Sequence, residues 1–291
     1  MDYLPVFFSL HLKNLERMKV RFYGVRGSLP VCGRDFERYG GNTTCIKVLR
    51  ERVNRIAIMD AGTGIRNLGK EIINEGVSQN IINILFSHFH WDHIQGLPFF
   101  APAYNSNQKI GILAMGRRGK IKNLKEIFSM QMQKEYFPVN LETMGAQFEF
   151  LTYGDKETLF GAVISTAAQH HLQDGGSYGF RIEDDDVSLV ICTDIEHING
   201  IDQNIVNLAK GADLLIHDGQ YTAEEYKKFK GWGHSSWEQA VEVAIQAKVK
   251  RLIITHHDPD HNDDFLDALE KDCQAILPNS IFAKEGMEVT V

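Results

Sequence analysis

The sequence predicts an α/β (α+β) protein in which two sheets form a sandwich. Short apolar runs, rich in β-branched residues, alternate with helical patterns along the 291-residue chain. Strands this numerous, interspersed with helices, favour two packed sheets. Several of these strands also end in His or Asp, and polar groups gathered at the carboxyl ends of strands form the site in many α/β proteins.

The individual elements follow from the periodicity of apolar residues. The predicted strands are 19–25, 44–49, 55–60, 82–87, 110–115, 147–152, 162–168, 178–183, 187–193, 212–217, 250–255, 280–283 and 287–291. The predicted helices are 64–75, 120–134, 202–210, 222–229, 236–247 and 263–275. We expect an N-terminal appendage over 1–18 and one domain over 19–291. The weakly patterned region 101–146 is expected to be a lid or insertion over the site.

Composition and charge narrow the class of protein. The apolar fraction of 43% and charged fraction of 24% are typical of a globular protein. A net charge of −7 argues against general electrostatic attraction to nucleic acid or to an anionic membrane. The four cysteines are scattered and form no disulfide framework, so we expect a reducing, cytoplasmic location. No apolar run approaches the roughly 20 residues that span a bilayer.

The most informative motif is the segment 87–93, Ser-His-Phe-His-Trp-Asp-His, directly after an apolar strand. Neutral imidazole and carboxylate are usual ligands of zinc and similar divalent ions. His88 and His90 are two residues apart in an extended segment, so their side chains point the same way. Asp92 and His93 follow where the chain can turn toward a second point. The spacing therefore predicts two adjacent metal sites.

Further candidate ligands follow other strands of the predicted sheets. They are Asp60 after 55–59, His170 and His171 after 162–168, Asp194 after 187–193, His217 and Asp218 after 212–216, and His256 and His257 after 250–255. Any one of them could be an ordinary loop residue. Because carboxyl ends of strands meet at one sheet edge, we expect the whole group to belong to one site.

These residues resemble the metallo-β-lactamase fold superfamily. The resemblance rests on His88-x-His90-x-Asp92-His93, preceded by the Asp-Ala-Gly-Thr-Gly segment 60–64 and followed by a distal His, Asp194 and His256. It covers the chain from about residue 19 to 291. It implies a four-layer αββα sandwich with two metal ions at one edge of the sheets.

Three shorter segments resemble the phosphodiesterase branch, which includes tRNase Z and the cyclic-phosphate and cyclic-nucleotide phosphodiesterases. They are Gly-Val-Arg-Gly-Ser at 24–28 with Gly-Gly-Asn-Thr at 40–43, Ile-His-Asp-Gly at 216–219, and Gly-His-Ser-Ser at 233–236. The chain has no Gly/Pro-rich insertion like the tRNA-gripping arm of tRNase Z. That difference and the acidic balance argue against tRNA processing.

The resemblance implies a ligand for each position of a two-metal centre. His88, His90 and a third histidine would bind the first ion, with His171 favoured over His170. Asp92, His93 and His256 would bind the second, and Asp194 would bridge both. The donor set suits zinc first, with manganese, iron or nickel as alternatives.

Other residues have candidate roles around the metals. Asp60 would accept an imidazole N–H, or cap the Gly-Thr-Gly turn before helix 64–75, or do both. His234 would contact the phosphate or protonate the leaving oxygen, held by Asp218, although it could instead be a helix N-terminal contact. His257 would contact a ligand or the substrate. His217 could equally be a buried, hydrogen-bonded core histidine, and His261 could be a solvated loop histidine. Trp91 and Tyr178 could stack on a base or form a wall, although aromatic residues are more often core.

We therefore predict a phosphoric diester hydrolase that cleaves a small cyclic nucleotide or cyclic ribose phosphate by attack of metal-activated hydroxide. The alternatives are a tRNase Z-like endoribonuclease and a carboxylic ester or lactone hydrolase. The first could use a basic run, although a solvated helix face is the more common role of such a run; its residues are Arg117, Arg118, Lys120, Lys122 and Lys125. A metal-binding module without catalysis is the least favoured. A small anionic substrate is the expected partner, RNA a weaker one, and a homodimer is possible.

Overall fold

The computed structural model describes residues 18–50, 55–76, 81–117, 120–121, 123–172 and 176–291. The predicted appendage, apart from Met18, lies outside the described residues. The strands of the described chain are β1 Met18–Gly24, β2 Cys45–Arg50, β3 Arg55–Met59, β4 Ile81–Leu85, β5 Lys109–Ala114, β6 Gln147–Thr152, β7 Lys156–Leu159, β8 Ala162–Gln169, β9 Ser177–Asp184, β10 Val187–Cys192, β11 Leu214–Asp218, β12 Leu252–Thr255, β13 Ser280–Phe282 and β14 Glu288–Thr290. Its helices are α1 Ile65–Asn74, α2 Trp91–Ile94, α3 Leu124–Gln131, α4 Gln203–Ala209, α5 Ala223–Phe229, α6 Trp237–Ala247 and α7 Asp263–Ile276.

The strands form two seven-stranded sheets. The first has the order β14-β1-β2-β3-β4-β5-β6, and the second has the order β13-β12-β11-β10-β9-β8-β7. Strands β3 to β6 run parallel to one another, as do β10 to β13. The C-terminal strand β14 returns to pair with β1, which joins the end of the chain to the first sheet.

Three buried apolar clusters correspond to the three interfaces of a four-layer sandwich. One packs α1 and α3 on the outer face of the first sheet, for example Leu68 and Phe128 against Ile84. The second fills the space between the sheets and includes Phe22 and Phe180. The third packs α4, α6 and α7 against the outer face of the second sheet. The predicted αββα architecture is confirmed.

Successive side chains of a central strand point to opposite faces of the sheet, and here both faces are buried. In β4, Ile82 and Ile84 belong to the outer cluster and Leu85 to the central one. A strand buried on both faces needs a nearly continuous apolar sequence. This is the pattern that the chain shows before each candidate ligand, so the apolar runs and the ligand positions have the same structural origin.

The interpretation of 101–146 as a lid is wrong for its regular elements. β5 lies between β4 and β6 inside the first sheet. α3 contributes Leu124 and Phe128 to the cluster on that sheet's outer face. The sequence also missed β7 and the one-turn helix α2, both too short to show a period. None of the described helices is both long and apolar enough to cross a membrane.

Candidate metal centre

The 87–93 motif lies in the loop that leaves β4 and in the first turn of α2. His88 is buried at the end of the extended segment, and His90 precedes the helix with an extended backbone. Asp92 and His93 are both buried within α2. The short helix turns these two side chains away from the line of His88 and His90, as the sequence predicted from the spacing.

The first group of candidate ligands consists of His88, His90 and His171. Their ring nitrogens all lie within 4.8 Å of one another. His171 Nε2 is 2.9 Å from His90 Nδ1, and His171 is buried. His170 is exposed, and its backbone carbonyl accepts a hydrogen bond from the Glu196 N–H. Of the two adjacent histidines, the structure brings His171 into the group.

The second group consists of Asp92, His93, Asp194 and His256, all of them buried. His93 Nε2 lies 3.1 Å from Asp92 Oδ2 and 3.1 Å from Asp194 Oδ2. His256 Nε2 lies 3.3 Å from each of the same two oxygens. The other oxygen of Asp194, Oδ1, is 3.7 Å from His88 Nε2 in the first group. Asp194 thus presents one oxygen to each group.

The donor atoms fit a divalent metal centre. His88 Nε2 is buried and has no hydrogen-bond partner among the described residues, and Asp194 Oδ2 faces the ring nitrogens of His93 and His256 without a well-formed hydrogen bond to either. A buried carboxylate oxygen or imidazole nitrogen left unpaired is costly, whereas a cation between the groups would satisfy both. Imidazole and carboxylate donors of this kind are suited to zinc and to similar transition-metal ions.

Four of the five candidate ligand imidazoles, all except His90, are fixed through their other nitrogen. His93 Nδ1 is 2.9 Å from Asp60 Oδ2, as expected for that carboxylate, and His88 Nδ1 is 3.1 Å from Ser87 Oγ. His171 Nδ1 donates to the Gly233 carbonyl at 2.7 Å. Such contacts set the tautomer and leave the opposite nitrogen as the metal donor.

His256 is oriented by Gln220, a residue that the sequence analysis did not single out. His256 Nδ1 is 3.1 Å from Gln220 Oε1. The Gln220 amide group also lies within hydrogen-bonding distance of Ser28, Tyr221 and Asp258. Its position two residues after Asp218, at the end of a strand, was the available signal.

Backbone strain coincides with the candidate ligands. Asp60, Asp194 and His256 have φ angles of 59°, 57° and 64°, in the left-handed region. Each lies within two residues of the end of a strand with a parallel neighbour, where the chain must turn sharply to bring its side chain into the site. Such conformations cost on the order of 1 kcal/mol or more and concentrate at functional sites.

The two groups differ in electrostatics. Burial lowers the pKa of His88 and of His171, so these imidazoles are neutral and ready to bind a cation. In the second group burial opposes protonation, but the carboxylates of Asp194 and Asp92 raise the pKa of His256 to about 9. Burial would raise the pKa of Asp194, yet the imidazoles of His256, His93 and His88 hold it well below its usual value.

His234 and Asp218 form a pair beside both groups. His234 Nδ1 is 2.9 Å from Asp218 Oδ2, as the sequence analysis anticipated. The other Asp218 oxygen accepts from the Gln220 and Ser235 backbone N–H groups. His234 is not the helix N-terminal contact, since Ser236 caps α6 with a complete capping box. The imidazole is therefore held through one nitrogen, and its other nitrogen is available to a ligand.

A carboxylate that the sequence analysis missed fixes the loop before His234. Glu196 is buried and accepts hydrogen bonds from the Gly231 N–H at 2.6 Å and from the Gly233 N–H at 3.0 Å. It also accepts from the Tyr226 hydroxyl at 3.2 Å. Its place two residues after Asp194 was a weak signal, because an acidic residue in a loop is usually exposed.

The structure also shows where the remaining candidate residues lie. His257 makes no contact with the two groups: it is buried between Tyr39 and Phe282 and pairs with the Ala283 carbonyl. His261 is buried against Glu225, and His217 stacks on His197 in the interior. Tyr178 is buried beneath the Arg117 guanidinium and forms no exposed base platform. Trp91, by contrast, is exposed beside His90. Within the predicted basic run, Arg118 and Lys122 lie outside the described residues.

Comparison with known proteins now places the chain. A family model described as a beta-lactamase superfamily domain matches residues 55–257, which contain all the candidate ligands. The chain belongs to the beta-lactamase superfamily. Within it the chain is a metal-dependent hydrolase, and the resemblance to the phosphodiesterase branch is confirmed.

Several members of the superfamily resemble the chain over most of its length. A Ribonuclease Z of Picrophilus torridus is 26% identical and covers 94% of this chain and 96% of its own. A Ribonuclease BN of Cronobacter sakazakii is 24% identical, over 94% and 100% respectively. Among solved structures, the metallo-beta-lactamase fold protein YhfI of Bacillus subtilis has a TM-score of 0.69 at 18% identity, covering 95% of this chain and all of its own.

Two more solved structures share the fold. Human tRNase Z, short form, gives a TM-score of 0.64 at 18% identity and covers 93% of this chain and 98% of its own. A diphosphatase of the PhnP family gives 0.65, also at 18% identity, over 94% and 97%.

Proposed function

We propose that this metal-dependent phosphodiester hydrolase is an endoribonuclease of the tRNase Z type, since the relatives that it matches are named as ribonucleases. The observation that carries the proposal is the end-to-end match to several such relatives. The site geometry supports it, because two adjacent donor groups joined by one carboxylate suit the cleavage of a phosphodiester. This reverses the order of the two substrates expected from the sequence.

In this proposal His88, His90 and His171 would hold one divalent ion, Asp92, His93 and His256 would hold the other, and Asp194 would offer an oxygen to each. Bound there, the two ions would supply a nucleophile at neutral pH and neutralise charge on the phosphate. Asp60, Ser87, Gly233 and Gln220 hold the ligand imidazoles in place through the contacts described above.

Three residues of the centre, Asp92, His234 and Asp218, would hold or transfer protons during the reaction. Asp92 Oδ2 accepts from the Ser28 backbone N–H at 3.0 Å, so its other oxygen can hold a proton of the attacking water. His234 donates its Nδ1–H to Asp218 and can present Nε2 to the leaving oxygen. Because Asp218 is fully buried and fixed by two backbone N–H groups, the imidazole keeps one orientation.

A small cyclic nucleotide or cyclic ribose phosphate remains the second candidate substrate, and a length difference favours it. The alignment with the Picrophilus torridus protein has 313 positions and includes 94% of this chain's 291 residues, about 274. In roughly 39 of the positions, therefore, the relative has a residue and this chain has none. A large RNA needs an extended binding surface, and such additional segments are one place to find it.

The deciding experiment offers both substrates to the zinc- or manganese-loaded protein. A precursor tRNA with a 3′ trailer should be cut, and His88→Ala should abolish cutting. Hydrolysis of cyclic nucleotides without cleavage of precursor tRNA would replace the endoribonuclease by the second candidate. Inertness toward both substrates and toward bis(p-nitrophenyl) phosphate would remove phosphodiesterase activity altogether, and a lactone panel would then test the ester alternative.

A further inference from the structure

Three large apolar side chains are exposed at the mouth of the metal centre. Trp91 is 63% exposed, Trp232 is 62% exposed and Leu172 is 43% exposed. Each is the next residue in the chain to one member of a contacting trio: His90, Gly233 and His171. In that trio His171 Nε2 is 2.9 Å from His90 Nδ1, and His171 Nδ1 is 2.7 Å from the Gly233 carbonyl. Each exposed side chain is thus attached to the backbone one residue from this contacting trio, and we call the three the apolar rim.

The indole of Trp232 is exposed but held in place. Glu196 accepts hydrogen bonds from the N–H groups of Gly231 and Gly233, the residues on either side of Trp232. The Trp232 N–H donates to the Phe229 carbonyl, and its ring meets the Phe229 ring edge-on at 5.3 Å. A buried carboxylate and an aromatic neighbour thus fix a side chain that presents most of its surface to solvent.

Aromatic contacts continue from Trp232 to the catalytic histidine of the proposed mechanism. Phe229 stacks on Tyr221 with centroids 5.1 Å apart, and Tyr221 meets His234 edge-on at 6.1 Å. Trp91 is the first residue of α2, and the candidate ligand His90 immediately precedes it. Both exposed indoles thus belong to segments that contribute to the centre, Trp91 next to a candidate ligand and Trp232 next to the glycine whose carbonyl holds His171.

We propose that Trp91 and Trp232 are stacking platforms for the nucleobases that flank the scissile phosphodiester. This inference rests on the proposed action on RNA and specifies what holds the substrate there. Exposed apolar side chains that lie close together and beside polar groups mark binding sites, whereas singly scattered ones do not. Unpaired bases of single-stranded RNA stack on aromatic side chains without regard to sequence. Because Trp232 is already fixed, little conformational entropy is lost when a base stacks on it.

The experiment compares adenosine 5′-monophosphate with ribose 5-phosphate, which share the phosphate and the sugar but differ in the base. Neither contains a phosphodiester, so binding to the zinc-loaded protein is measured by calorimetry without turnover. We expect the nucleotide to bind about tenfold more tightly than the sugar phosphate, since stacking contributes about 1–3 kcal/mol per base, a factor of about 5 to 150.

The variants Trp91→Ala and Trp232→Ala should each reduce this ratio, and the double variant should bring it close to one. Ile276→Ala is the matched control: its side chain is 57% exposed, and it ends α7, which runs back from the site edge after β12. The control should keep the wild-type ratio. The third tryptophan, Trp237, is buried and stays as an internal probe of folding.

Two results would overturn the proposal. One is a ratio close to one in the wild-type protein, and the other is an unchanged ratio in the double variant. If the double variant also converts a dimer into a monomer in sedimentation, the rim is instead a contact between two copies of the chain. Loss of the ribonuclease proposal would be seen separately, as failure of the wild-type protein to cut precursor tRNA.

Discussion

At the scale of single residues, the site depends on which atom of each side chain faces the others. His170 and His171 are the same residue type at adjacent positions, yet of the two it is His171 that points a ring nitrogen at His90. His256 and His257 differ in the same way, because His256 faces Asp92 and Asp194 while His257 faces the Ala283 carbonyl. Adjacent residues at the end of a strand point to opposite sides, so one member of each pair must leave the site.

The first prediction separates the adjacent histidines. His171→Ala should remove one of two bound zinc ions and reduce phosphodiester hydrolysis at least a hundredfold, since a first-group ligand is lost. His170→Ala should keep both ions and near-normal activity, because its imidazole is exposed. Zinc per chain is measured by elemental analysis after dialysis. Equal zinc content in the two variants would contradict the assignment.

A second prediction concerns protons released when metal binds. The carboxylates of Asp194 and Asp92 hold the pKa of His256 at about 9 despite its burial, so at pH 7 this imidazole carries a proton that a bound ion must displace. Metal affinity at the second group should rise with pH up to about 9. At the first group burial lowers the pKa of His88 and His171, so affinity there should be nearly flat above pH 7.

Calorimetric zinc titration at pH 7 in two buffers of different ionisation enthalpy tests this difference. We expect at least one proton to be released per two ions bound. Zero release, or equal pH dependence of the two binding steps, would show that the second group is already deprotonated without metal.

At the scale of secondary structure elements, the loop between α5 and α6 connects three parts of the site. Gly233 accepts the His171 Nδ1–H through its carbonyl, Glu196 holds the N–H groups of Gly231 and Gly233, and His234 follows directly. Both glycines have φ angles near +90°. One carboxylate thereby positions a candidate ligand and a candidate acid with the same set of hydrogen bonds.

The third prediction uses the two glycines as a matched pair. Gly231→Ala and Gly233→Ala incur similar backbone strain, about 1 kcal/mol or more in each. A Cβ at Gly233 would lie 2.4 Å from His171 Nδ1, whereas a Cβ at Gly231 meets nothing within 4 Å among the described atoms. Gly233→Ala should therefore lose zinc at the first group, and Gly231→Ala should retain it. Equal zinc loss in both would mean that loop strain alone is responsible.

At the scale of the whole molecule, stability depends on histidines that the site does not use. Burial, with a smaller effect of the neighbouring His217, lowers the pKa of His197 to about 3. His197 is neutral in the folded protein, while in the unfolded chain it becomes protonated below its ordinary value near 6.5. The unfolded state thus binds the extra proton, and stability falls as the pH drops from 6.5 toward 3.

A fourth prediction follows from that sign. Between pH 7 and pH 5 the protonation of His197 in the unfolded chain should reduce the free energy of unfolding by about 2 kcal/mol. His197→Asn keeps an acceptor for the Asp202 N–H and cannot be protonated, so it should lose correspondingly less over this interval. Urea unfolding of both proteins at the two pH values measures the difference. Identical pH dependence would show that His197 does not contribute.

The sequence by itself determined the layers of the fold and the residue types of the site. A strand buried on both faces needs a continuous apolar run, and a ligand at its end needs His or Asp directly after that run. Both features are properties of a short segment, so they can be read from the sequence. The boundaries of β6 were predicted to the residue, whereas α2 was missed because one turn has no period.

Only the tertiary structure decided which side chains meet. Glu196, Gln220 and the carbonyl of Gly233 orient ligands from distant positions in the chain, and the sequence does not encode such contacts as a pattern. The choice between His170 and His171, and the exclusion of His257, likewise depend on where two sheets bring their edges together. Side-chain direction at a strand end is set by the packing of both sheets, so it becomes definite only when the chain is folded.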